Sequence, residues 1–179
     1  YSMVALQGPK SRKIIQNIIK DDISKIKFYE FVQNIDCLGH NILLSRTGYT
    51  GELGFEIYCS HDAVNDIWNH ILDNFKDHGV KPAGLGSRDT LRLEMGYHLY
   101  GNDLNRSTDP FMAGLSWITD LNKGAFIGRE KISSKKISQR LCFVYFIMVE
   151  KSIPRPGYEI FVNEKVVGRV TSGTISPSL

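Results

Sequence analysis

Residues 2–7, Ser-Met-Val-Ala-Leu-Gln, form a short apolar run between polar ends and predict a buried strand at the start of the chain. Gly8-Pro9 then supplies a turn with proline at a first helical position, and Ile14, Ile15, Ile18 and Ile19 mark one face of a helix. Residues 28–35 and 38–44 are read as two strands of a hairpin that turns at Asp36-Cys37. Ser60 stands at a natural N-cap position. Behind it, Val64, Ile67, Trp68, Ile71, Leu72 and Phe75 trace an amphipathic helix that ends at Gly79. A shorter helix is expected around Leu91 and Leu93, where Asp89 and Arg92 have the spacing of a surface ion pair. Arg88 has no such partner and opens that helix, where it can face a pocket.

Further on, residues 115–121 are read as a strand containing Trp117, and residues 122–140 as a connection with a short helix near 128–134. Residues 141–149, 158–162 and 166–171 then give three strand-like runs, separated by Pro154, by Pro156-Gly157 and by Asn163-Glu164. The pattern is that of an α+β chain: antiparallel sheets with packed helices, followed by the opening strands of an all-β, barrel-like domain. The strand at 2–7 has neither cap nor tail before it, and the chain stops soon after 166–171. A segment of a longer protein is therefore expected.

With 179 residues, 42% apolar and 23% charged, the composition is that of an ordinary globular protein, which argues against disorder. A formal charge of +3, without a basic stripe interleaved with aromatics, argues against a nucleic-acid binder. No apolar stretch approaches the length of a membrane-spanning helix. Cys37, Cys59 and Cys142 are odd in number and form no CxxC pair, and the histidines at 40, 61, 70, 78 and 98 include no HxH or HxxxH pair. Neither a disulfide framework nor a metal site is expected.

Candidate chemistry concentrates between Ser45 and Tyr58, where Gly48, Gly51 and Gly54 lead into a short alternating strand. The glycines supply backbone freedom for a turn and for close approach of a flat molecule. Glu52, Glu56 and Tyr58 then share one strand face by period two, while Phe55 and Ile57 point to a core. Nucleophile motifs are absent, and Gly8-Pro-Lys-Ser11 lacks the upstream glycine of a phosphate loop. The glycine spacing also differs from the dinucleotide fingerprint. A carboxylate on a strand with an arginine opening a helix suits a flat heterocycle: the carboxylate accepts two adjacent N–H groups of an aminopyrimidine edge, and the guanidinium meets carbonyl or carboxylate oxygens. Pterins and guanines both satisfy that pattern.

Four ordered motifs carry a resemblance. They are Arg46-Thr-Gly-Tyr-Thr-Gly-Glu-Leu-Gly-Phe-Glu56, Ala83-Gly-Leu-Gly-Ser-Arg-Asp-Thr-Leu-Arg-Leu-Glu-Met-Gly96, Leu99-Tyr-Gly-Asn-Asp103 and Val170-Thr-Ser-Gly-Thr-Ile-Ser-Pro-Ser-Leu179. Together with Val4-Ala-Leu-Gln-Gly-Pro9 and Phe126-Ile-Gly-Arg-Glu130, they make the chain similar to the T-protein family, the aminomethyltransferases of the glycine cleavage system. The resemblance implies tetrahydrofolate as cofactor and the lipoylated H-protein as partner, in a bacterial cytoplasm or a mitochondrial matrix. It implies three domains around a folate channel, of which this chain would hold the end of one (1–40), the later half of the folate-binding domain (41–122) and the start of the C-terminal barrel (123–179).

By position, Glu56 matches the family's pterin-binding glutamate and Arg88 its folate-binding arginine, while Tyr49, Tyr97 and Trp117 match aromatic positions of the site. The family's catalytic aspartate would lie upstream of this segment, so no catalytic residue is assigned in it and the segment alone is not expected to turn over. Glu52 and Asp103 are the acids that could stand in, and nothing in the sequence ties either to a ligand. Two other readings remain: the folate domain of a dimethylglycine or sarcosine dehydrogenase, which has the same domains, and a non-catalytic folate-binding relative, in which the Gly-Asn-Asp loop and the Arg-Asp-Thr helix would be less complete.

Overall fold

The computed structural model describes residues 1–138 and 141–179, with side chains described at all of these except 135–138. The connection expected over 122–140 therefore ends outside the described residues. Two compact units are present, Tyr1–Met95 and Gly96–Leu179.

In the first unit, β1 (Ser2–Gln7), β2 (Phe31–Cys37), β3 (His40–Ser45) and β4 (Gly54–Cys59) form one antiparallel sheet in the order β1-β4-β3-β2. The central place of β4 follows from its sequence: Phe55, Ile57 and Cys59 all point to one side and are fully buried. Against that side pack α1 (Ser11–Ile18), through Ile14, Ile15 and Ile18, and α2 (His61–Asn74), through Ala63, Ile67 and Ile71. Val4 and Leu6 of β1, Ile35 and Cys37 of β2 and Ile42 and Leu44 of β3 join this core. The sheet joins residues on both sides of position 40, and the contacts divide the chain after Met95, so this partition differs from a division at 40 and 122. Hydrogen bonding explains it, because β1 and β2 have their ladder partners in β4 and β3.

The hairpin between β2 and β3 turns two residues later than its polar residues suggested. Asp36 and Cys37 are paired strand residues, and the turn lies at Leu38 and Gly39, both with positive φ, as a two-residue hairpin turn requires. Cys37 belongs to the core, and burying it outweighs the turn preference of its neighbour. Ser60 does precede α2 in an extended conformation, yet its side chain makes no capping bond. After α2 the chain makes a short 3₁₀ turn, Lys76–His78, and stops at Gly79 with φ of +84°. Then α3 (Leu85–Glu94) follows.

The second unit contains α4 (Arg129–Ser138) and a hairpin of β5 (Glu159–Val162) with β6 (Lys165–Arg169), which turns at Asn163 and Glu164 with positive φ. Two expected strands are absent. Residues 115–121 contain a 3₁₀ turn, Ser116–Ile118, because the Leu115 carbonyl accepts from the Ile118 N–H and from the Thr119 hydroxyl instead of from a neighbouring strand. Residues 141–149 form no strand, although their composition favours one. A strand exists only with a ladder partner, and residues 141–149 join no sheet: β5 pairs with β6, and within 141–149 the Phe143 N–H bonds the Met112 carbonyl. Among the described residues no helix is long and apolar enough to cross a membrane.

Truncating Ile67, buried at the centre of the α2 face, is expected to cost about 2–5 kcal/mol through lost transfer energy and the cavity left behind. Denaturant unfolding of Ile67→Ala against wild type measures this, with an unchanged midpoint as the contrary result.

Candidate functional site

The helix-free face of the first sheet carries the candidate carboxylate. Register places Ala5, Glu56, Ser45 and Phe31 in one row across the four strands, with Met3, Tyr58, Leu43 and Gln33 in the next. Period two thus separates Glu56 and Tyr58 from the buried Phe55 and Ile57, as the strand pattern implies. Glu56 is half-buried and its Oε2 accepts two bonds, one from the Thr47 hydroxyl and one from the Tyr58 hydroxyl at 3.2 Å. Thr47 Oγ1 also lies 2.9 Å from Ser45 Oγ, which ties the first residues of the loop 46–53 to the end of β3. Burial holds the Tyr58 phenol above its usual range, and the adjacent Glu56 charge and its hydrogen bond push the same way.

Gly51 makes the turn its backbone freedom allows, and Gly48, Gly51 and Gly54 all lie against protein side chains. A Cβ on Gly48 or on Gly54 would stand 2.1 or 1.9 Å from the amide oxygen of Gln7, so a side chain at either position would displace the Gln7 amide from where it lies. Gly51 has φ of +78° and lies against the Met95 side chain. In each case the neighbour that needs the missing Cβ is a protein side chain. The Gln7 amide donates to the carbonyls of Thr47 and Phe55, both at 3.2 Å, and accepts from the Thr50 hydroxyl at 3.4 Å.

Arg88, in the first turn of α3, places its guanidinium 4.6 Å from the ring centre of Tyr49, a cation–π contact that joins two of the expected site residues. Arg88 also lines a cavity of about 580 Å³, a volume suited to a small ligand. Gln7, Thr50, Trp68, Leu72 and Leu91 share that lining, together with the cationic Lys10 and Lys81; Glu56 is not among the lining residues. The carboxylate and the guanidinium are linked through the loop, since Thr47 holds Glu56 and Tyr49, two residues on, meets Arg88.

The other expected residues have their own settings. Tyr97 and Trp117 belong to the second unit, where Trp117 sits in the 3₁₀ turn and is 75% exposed. Glu52 is exposed. Asp103 is buried, and its two oxygens accept from the Leu99 N–H and from the Thr171 hydroxyl, so it braces the second unit. The ion pair of Asp89 with Arg92 exists, but only its Asp89 partner reaches the surface. Arg92 is 1% exposed, with Nε and one terminal nitrogen 2.8 and 2.7 Å from the same Asp89 oxygen. Spacing alone does not reveal burial, which depends on what packs against the helix.

Cysteine chemistry finds no support here. Burial pushes the Cys37 thiol up to about 11, with Asp36 and Cys59 adding to the effect, so it stays protonated. Gln7 is the residue that sequence reasoning passed over, and its signal was its place at the end of a strand directly before Gly8-Pro9.

Tyr58 offers a direct check of this geometry. Replacing Glu56 by Gln removes the neighbouring negative charge, so the phenol's titration midpoint is expected to fall toward the ordinary tyrosine value. Ultraviolet absorbance titration of wild type and Glu56→Gln reads the shift; an unmoved or higher midpoint counts against the contact.

Residues 1–123 match the family model described as GCVT N-terminal domain. The chain is 44% identical over 181 residues to an aminomethyltransferase of Lysinibacillus sphaericus, covering 99% of this chain and 49% of that protein. It is 46% identical over 179 residues to an aminomethyltransferase of Alkaliphilus oremlandii, with the same coverages. A crystal structure of the glycine cleavage system aminomethyltransferase T from Bartonella henselae superposes with a TM-score of 0.85 at 30% identity, covering 98% of this chain and 48% of that one. The chain spans about half the length of the curated relatives it matches.

Proposed function

Since the chain belongs to the aminomethyltransferase family, the T-proteins of the glycine cleavage system, we propose that it supplies part of the folate-binding surface of an enzyme that moves an aminomethyl group from the lipoyl arm of H-protein to tetrahydrofolate, releasing ammonia. The observation that carries this reading is the Glu56 carboxylate, half-buried on a sheet face and steadied on one oxygen by two hydroxyls. Its Oε1 is left to a ligand, and the Tyr58 bond at 3.2 Å is the weaker of the two on Oε2, so it yields most readily when a second N–H arrives. A planar aminopyrimidine edge needs that pair of acceptors. The acceptor pair therefore fits a pterin.

Tetrahydrofolate, when bound, supplies the ring nitrogen that takes the one-carbon unit. The residues of this chain bind and orient. Glu56 fixes the rotation of the heterocycle, Tyr49 offers a ring face at the loop, and Arg88 provides a fixed positive charge for an anionic group of the same ligand. Placement of that kind accounts for several kcal/mol of a reaction barrier. None of these residues is given a proton to carry, and the two bonds that Asp103 accepts support a bracing role for it. The roles of Tyr97 and Trp117 rest on the resemblance alone.

The test is made on the full-length gene product. It should release ammonia from aminomethylated H-protein in a reaction that depends on tetrahydrofolate, and Glu56→Ala should weaken tetrahydrofolate binding roughly tenfold or more, for loss of a charged acceptor pair, while its melting temperature stays near wild type. Equal folate affinity in the two proteins would reject Glu56 as the pterin anchor. Folate binding without ammonia release would instead favour a binding relative.

A further inference from the structure

The geometry points to Gln7 as the positioning residue of this site: its side-chain amide sets the loop 46–53 so that Thr47 meets Glu56 at one end and Tyr49 meets Arg88 at the other. This inference rests on the folate reading of Glu56 and Arg88 and adds to it a residue that touches neither of them.

Three observations carry it. The Gln7 amide nitrogen donates to the Thr47 carbonyl, and Thr47 is the residue whose hydroxyl holds Glu56. The Gln7 amide oxygen accepts from Thr50, which lines the cavity beside Arg88 and follows Tyr49 directly. Between these bonds, the amide lies against Gly48 and Gly54, so closely that a Cβ at either position would displace it. The loop is pinned at its far end as well, since the Leu53 carbonyl accepts from the Gly8 N–H at 2.7 Å and from the Ser11 hydroxyl at 3.0 Å. One short segment, Gln7 to Ser11, thus holds the whole span between the carboxylate and the guanidinium. Of its contacts, those of Gln7 alone bracket Tyr49.

A carboxyamide is suited to this task because it donates and accepts in one plane. Methionine has nearly the same length and neither function, and glutamate keeps the shape but turns the donor into an acceptor facing two carbonyls. Either change leaves the Thr47 carbonyl without its partner, and the loop loses the reference that sets the distance from Glu56 to Arg88. Groups that bind through a fixed geometry lose affinity when that geometry loosens.

The experiment titrates tetrahydrofolate, without oxygen, into the full-length protein and into four variants. Gln7→Met is expected to raise Kd about tenfold or more, the equivalent of two lost hydrogen bonds. A core variant, Ile67→Val, serves as the stability control and should keep Kd within about twofold. In a double-mutant cycle, Glu56→Gln should cost less in the Gln7→Met background than in wild type, because Gln7 acts through Glu56. Wild-type affinity in Gln7→Met, or strict additivity in the cycle, overturns the inference while leaving the folate reading intact. A wild type that does not bind tetrahydrofolate overturns both. Should Gln7→Met fail to fold, Gln7→Glu takes its place with the same expected and contrary results.

Discussion

The antiparallel pairing of β1 with β4 is the contact on which the rest of the first unit depends. It sets Gln7 opposite Gly54 and Ala5 opposite Glu56, and it directs Phe55 and Ile57 toward the helices. Without that register, a slip of one residue would turn Glu56 into the core and Phe55 outward. Burial of Phe55, Ile57 and Cys59 opposes such a slip with several side chains' worth of transfer energy. Core packing on one face of β4 therefore sets the position of the carboxylate on the other.

Polar groups around the candidate site are arranged by the same economy of partners. Gln7 answers two carbonyls and a hydroxyl, Glu56 answers two hydroxyls, and Arg92 enters the interior only in company with Asp89. A buried group without partners costs more than the bond it replaces, which is why these side chains can be held still enough to define a site. Arg88 is the contrast. It is exposed, lines the cavity and meets an aromatic face with its guanidinium.

In the second unit, the hairpin of β5 with β6 and the latch from Asp103 to Thr171 show how distant motifs become neighbours. The Gly-Asn-Asp loop and the Thr-Ser-Gly stretch are 68 residues apart in sequence, yet one carboxylate joins them. That role accounts for Asp103 without any proton chemistry. By contrast, the apolar run over 141–149 keeps most of its side chains exposed, since β composition stabilises a strand only where a ladder receives it.

Local pattern by itself determined a good deal: the first strand, the Ile67, Ile71 and Phe75 stripe of the α2 segment, though not that Trp68 beside it is exposed, the α+β class, the glycine-rich turn into the Glu56 strand, and the family that these motifs resemble. Such features rest on short-range periodicity and turn chemistry, which a sequence states directly. The tertiary structure alone decided that Gly48 and Gly54 make room for Gln7, that Arg92 is buried, that the hairpin turns at Leu38 and Gly39, and that residues 115–121 coil into a 3₁₀ turn. Each of these depends on a partner tens of residues away or on the absence of a strand to pair with. Long-range contacts of that kind leave no mark in the spacing of neighbouring residues.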